Sequence, residues 1–117
     1  MLTDNTARQQ QLQALVGRLG RKLPGPLGGF MTLHKGAMKE GALSPKIKEL
    51  MSLAIAVATH CEDCISWHVH DVLKAGANRE EVIETLGVAI LMGGSPALMY
   101  ACHALEALDQ FATVNAS

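Results

Sequence analysis

Aromatic side chains are almost missing from this sequence: two Phe, one Tyr and one Trp, 3% of 117 residues. Sheets draw on aromatic and β-branched residues to cover their faces, whereas the plentiful Ala, Leu and Met here favour helices. No alternating apolar–polar run compensates, so a β-rich fold is excluded. An excess of charge is missing too. Ten Lys and Arg face eleven Asp and Glu, for a net charge of −1, and no basic stripe gathers on any segment. Nucleic acid is therefore not an expected partner, because phosphate binding needs clustered cations. No apolar stretch approaches the roughly 18 residues that cross a membrane. Residues 1–11 show neither the basic start nor the apolar run of a secretory signal. A cytoplasmic protein with no membrane partner is expected. Three cysteines are too few for a disulfide framework and point in a cytosolic chain to metal binding or redox chemistry.

What is present reads as helix. Leu12, Leu15, Val16 and Leu19 form an apolar stripe over residues 7–20. The run Leu23-Pro-Gly-Pro-Leu-Gly-Gly29 is expected to break the chain, with a short helix from Gly28 to about Lys39. Ser44-Pro45 marks a helix start, Ser as cap and Pro in the first turn. Residues 50–58 are apolar almost all round, as in a helix buried on every side. The next helix covers about Cys61 to Ala75 and stops at Gly76. Asn78 caps a fifth, and Ser95-Pro96 repeats the cap-plus-proline signal, with Ser95 as cap, and opens a last one reaching about Phe111. No repeat or linker divides the chain. We expect a single domain over residues 1–117, folded as an all-α compact bundle of five to six helices. Segments 86–92 and 96–108 carry more apolar surface than a chain this short buries by itself, so a homo-oligomer is expected.

Chemistry concentrates in one stretch. Cys61 and Cys64 stand three apart, His68 follows one turn later, and Glu49 lies twelve residues upstream. With successive helical residues about 100° apart, Cys61, Cys64 and His68 fall within roughly 60° of one face, and Cys64 and His68 are i, i+4 neighbours. A thiolate is the nucleophilic form of cysteine. A helix N-terminus favours it electrostatically, and His68 offers a base for the thiol proton. If the chain reverses near Thr59-His60, Glu49 comes level with His68, where a carboxylate orients the imidazole and passes its proton on. A solvated Glu49 at the helix start is the plainer alternative. Zinc is the rival for the cysteine pair, with His68 and either His60 or His70 completing the ligands. Structural zinc sites, however, usually draw a second ligand pair from a distant loop, and only Cys102-His103 offers one. Cys102 itself, in an apolar run, reads as a small buried hydrophobe. His34 and His103 read as surface or interface residues, and Trp67 as a pocket wall or ordinary core.

At these residues the chain resembles the carboxymuconolactone decarboxylase superfamily, specifically its alkylhydroperoxidase D-like branch. The Glu-x11-Cys-x-x-Cys-x3-His arrangement is occupied by Glu49, Cys61, Cys64 and His68. The likeness extends through Gly76–Glu84 and Val88–Ala97 and covers about residues 25–110. The resemblance implies helical subunits assembling into dimers and often hexamers, with no haem, flavin or metal cofactor. It implies that Cys64 is the peroxidatic thiolate, activated through His68 with Glu49 relaying the proton. A small-molecule hydroperoxide would oxidise Cys64, Cys61 would resolve the sulfenic acid as a disulfide, and a dithiol or protein reductant would reset the pair. Two other tasks fit parts of the pattern: redox sensing through the same disulfide, and lactone decarboxylation, whose enzymes lack this cysteine pair. The chain departs from the well-studied peroxidase at one position. Where that enzyme has a histidine just before its second cysteine, this chain has Asp63, preceded by Glu62. Two carboxylates beside the thiols are expected to disfavour the thiolate.

Overall fold

The computed structural model describes residues 4–116. Its six helices are α1 (Asn5–Lys22), α2 (Pro24–Met38), α3 (Pro45–Ala58), α4 (Glu62–Lys74), α5 (Arg79–Gly93) and α6 (Ser95–Ala116), with no strand among the described residues. The all-α bundle expected from composition is the fold observed.

Local chemistry accounts for most of the boundaries. Asp4 caps α1 by accepting the Ala7 N–H at 3.0 Å, and Ser44 caps α3 by accepting the Ile47 N–H at 3.2 Å. Asn78 and Glu81 close a reciprocal box at the start of α5, each side chain accepting the other's backbone N–H. Such caps are each worth about 1 kcal/mol.

Three boundaries differ from expectation, one of them the end of α6, which runs to Ala116 rather than to about Phe111. The Pro-Gly-Pro run does not separate α1 from α2 by a long break: Leu23 alone does, and α2 begins at Pro24. Pro24 and Pro26 fall in the first turn, where the missing N–H groups would have had no intrahelical acceptor. Likewise Ser95 is not the cap of α6 but its first residue. Gly94, at a φ of 75°, ends α5, and its carbonyl accepts the Ala97 and Leu98 N–H groups at 3.0 and 3.2 Å.

The reversal between α3 and α4 sets the site. His60 takes a left-handed φ of 61°, a conformation more usual for glycine. Its N–H donates to the Val57 carbonyl at 3.2 Å, while the Cys61 N–H donates to the Ala56 carbonyl at 3.0 Å. The imidazole of His60 stacks on Tyr100, with ring centroids 4.9 Å apart and planes within 9°. These overlapping bonds stop α3 and leave Cys61 as the next residue, at the N-cap of α4. The same construction recurs at the end of α4, where Gly76, at a φ of 98°, turns the chain into α5.

Leu53 and Val57 of α3, Ile65, Val69 and Val72 of α4, Val82 of α5 and Leu108 of α6 are fully buried and form the centre of the core. Helix α3 packs on α4, α5 and α6, as its near-continuous apolar surface requires. Helix α2 buries no residue, and it leaves Phe30 and Leu33 more than 60% exposed. Leu91 and Met92 at the end of α5 are nearly four-fifths exposed. Among the described residues no helix is long and apolar enough to cross a membrane.

Candidate functional site

Cys61 and Cys64 are joined by a disulfide across the first turn of α4, their Cα atoms 5.1 Å apart. Cys61 is the N-cap and its sulfur accepts the Cys64 N–H at 3.3 Å. The helix geometry brings the two thiols together because residues i and i+3 share a face. Cys64 packs against the hydrophobic core. Cys61 instead lines a groove of about 480 Å³ with Arg8, Glu62, Asp63 and Ser66.

One turn after Cys64, His68 turns Nδ1 toward Oε2 of Glu49 at 3.1 Å. Glu49 is buried, with 8% of its surface exposed, so the solvated alternative for this residue is set aside. With the carboxylate ionised, Nδ1 donates to it and the Nε2 lone pair is left to act as a base. Against His68 lies an apolar cavity of about 370 Å³, lined by Val16, Leu27, Phe30, Met31, His34, Trp67 and Asp71. The cysteine pair is thus flanked on α4 by a polar groove on the Cys61 side and by an apolar cavity on the His68 side.

The carboxylates beside the thiols are not free. Asp63 accepts two hydrogen bonds from the Arg8 guanidinium, both at 3.0 Å. That contact holds its carboxyl below the usual carboxylate range. Glu62 sits 3.3 Å from Nδ1 of His103. Both carboxylates beside the cysteine pair thus have side-chain partners distant in sequence. Helix α1 is anchored behind this contact: the Ser66 hydroxyl donates to the Asn5 amide oxygen, and Asn5 donates to Gln110 of α6 at 2.8 Å.

Expectations about five single residues change or sharpen. Cys102 is exposed rather than buried, because α6 turns that face outward beside Leu98 and Leu105. His34, read as a surface or interface residue, lines the cavity with His68. Trp67 lines it too. His60 and His70 contact Tyr100 and Asp71 respectively, not the cysteines. Arg8 and Asp71 were not legible as members of the site. Nothing local marks Arg8, although the three-residue spacing of His68 and Asp71 placed them on one helix face.

A family model described as the carboxymuconolactone decarboxylase family matches residues 24–107. The chain belongs to this family. A crystal structure of a family member from Legionella pneumophila superposes with a TM-score of 0.88 at 41% identity, covering 92% of this chain and 96% of that one. An uncharacterised protein of Cupriavidus necator is 37% identical over 93% of this chain and 96% of its own. An alkyl hydroperoxide reductase AhpD of Nocardia farcinica is 34% identical over 59 residues, half of this chain and 33% of that protein.

Proposed function

We propose that this protein is a thiol-dependent peroxidase of the alkylhydroperoxidase D-like branch, acting in the cytoplasm. The observation that carries the reading is the Cys61–Cys64 pair at the start of α4, one turn from an imidazole held at 3.1 Å by a buried carboxylate. The likeness to an alkyl hydroperoxide reductase over 59 residues supports it. In the reduced protein, His68 takes the Cys64 proton and Glu49 stabilises the imidazolium. The Cys64 thiolate attacks the terminal oxygen of a hydroperoxide. The O–O bond breaks, the alcohol leaves with the proton from His68, and Cys64 becomes a sulfenic acid. The Cys61 thiol then displaces hydroxide as water, forming the disulfide. A dithiol reductant attacks Cys61, the sulfur that lines the open groove, and returns both thiols. The apolar cavity beside His68 suits an organic hydroperoxide better than hydrogen peroxide.

The exposed apolar residues of α2, α5 and α6 support a homo-oligomer, dimer to hexamer, in which these faces meet. Light scattering on the purified protein measures the assembly, and a monomer would overturn that part.

The activity is tested by following cumene hydroperoxide consumption with a dithiol donor, alongside intact mass. Sustained turnover abolished by Cys64→Ser supports a peroxidase. A single loss of two hydrogens without turnover makes the pair a redox sensor. No oxidation at all removes the thiol chemistry.

A further inference from the structure

Three side chains converge where the relay needs only two. Ligand atoms of Glu49, His68 and Asp71 all lie within 4.8 Å of one another. Glu49 comes from α3, and His68 and Asp71 come from one face of α4. The pair of carboxylates is unusual for its setting. Glu49 is buried and Asp71 half-buried, and among the described residues neither is paired with a lysine or arginine. Their hydrogen-bonding partners are histidines: Glu49 holds His68, and Asp71 holds His70 at 3.0 Å. His34 of α2 lines the same cavity as His68 and Asp71 but is not one of the three clustered ligands.

We propose that Glu49, His68 and Asp71 form a binding site for a divalent first-row transition metal, and that occupancy by the metal switches the proton relay off. Bonds of about 2.1 Å place the ligand atoms of a zinc site roughly 3–3.5 Å apart. The Glu49–His68 separation of 3.1 Å already meets that spacing, and an Asp71 oxygen lies within 4.8 Å of both. Imidazole and carboxylate donors suit zinc and its neighbours, and calcium or magnesium would favour oxygen donors alone. This site shares no ligand with the cysteine pair, so it forms in the disulfide state as well as in the dithiol state. A neutral imidazole has one lone pair. A metal bound to His68 takes it, leaving none to accept the thiol proton, and it ties up the Glu49 carboxylate at the same time. The metal is therefore an inhibitor of the relay and not a cofactor of it. The binding site stands on the three side chains alone, and its effect on turnover rests on the peroxidase reading.

The test titrates zinc chloride into the disulfide form of a Cys102→Ser variant, so that no thiol competes, and reads binding by calorimetry and native mass. One zinc per chain is expected, weakened by roughly tenfold or more in Asp71→Asn and in Glu49→Gln. Glu62→Gln, at the surface His103 pair, should bind as the parent does. Circular dichroism confirms that each variant is folded. Absent binding at millimolar zinc, or binding indifferent to both Asp71→Asn and Glu49→Gln, overturns the site. In the reduced protein, zinc should slow peroxide oxidation of Cys64, and Asp71→Asn should relieve that inhibition. Stoichiometric binding without inhibition overturns the switch while leaving the site. A protein that binds zinc but never turns over peroxide loses the peroxidase reading and keeps the metal.

Discussion

Nδ1 of His68 lies 3.1 Å from Oε2 of Glu49 across the α3–α4 interface, nineteen residues apart in the chain and joined only because His60 reverses it. The carboxylate is buried, so the contact orients the imidazole in a medium where the hydrogen bond is stronger than in water. Removing either partner should be read in the rate of Cys64 oxidation. His68→Gln is expected to slow it about 100-fold and Glu49→Gln about tenfold. Trp67 is the sole tryptophan and lines the cavity with His68, so stopped-flow fluorescence follows the step directly. An unchanged rate for His68→Gln between about pH 6 and 9 would remove the imidazole from the mechanism.

Arg8 answers the carboxylate beside the second cysteine. Without it, Asp63 presents an unpaired negative charge next to the thiols, so Arg8→Gln should slow Cys64 oxidation roughly threefold to tenfold. Adding Asp63→Asn to the same chain should restore the rate. A double variant no faster than Arg8→Gln would show that the arginine acts by another route.

The same pair carries a pH signature. Arg8 holds the Asp63 carboxyl below its usual value of 3.8. A lowered folded-state value means the stabilisation is fully present above 3.8 and is lost as pH falls through the lowered one. Both side chains are about half exposed to solvent, so the effect is small. Wild type should lose stability more steeply than Arg8→Gln on acidification from about pH 4 to 2. Parallel denaturation midpoints for the two proteins over that range would mean that the contact contributes nothing.

The cavity beside His68 should select substrates by bulk. Leu27→Trp adds volume to its wall and is expected to raise KM for cumene hydroperoxide about tenfold, with hydrogen peroxide little affected. Equal changes for both substrates would place the organic group elsewhere.

Gly93 is a packing requirement near the end of α5. A Cβ there would lie 2.6 Å from the Ala97 Cβ and 3.4 Å from the Ala58 Cα, and neither neighbour is the flexible end of a side chain. Gly93→Ala should therefore cost about 1–3 kcal/mol in urea unfolding. A loss below about 0.5 kcal/mol would show that α3, α5 and α6 separate easily at that corner.

Much of this molecule was decided by short-range chemistry. The scarcity of aromatics, the 3.6-residue periodicity, and Ser44, Asn78 and Gly76 at helix ends determine an all-α chain and most of its boundaries. Helical spacing alone puts Cys61, Cys64 and His68 on one face, because that geometry is local. Leu23 as the only break after α1, and Gly94 as the cap of α6, were less legible. A proline run reads as a breaker unless one knows that it falls in a first turn. Only the tertiary structure decided what surrounds the thiols. Arg8 reaches Asp63 from 55 residues away, Glu49 is withdrawn from water by packing that no local pattern records, and His34 and Asp71 join the same cavity from different helices. Cys102 shows the reverse case: an apolar sequence context implied burial, but the rotation of α6 about its axis left it outside. Local sequence sets where most helices begin and end. Which charges meet, and which are stripped of water, depends on the docking of helices distant in the chain.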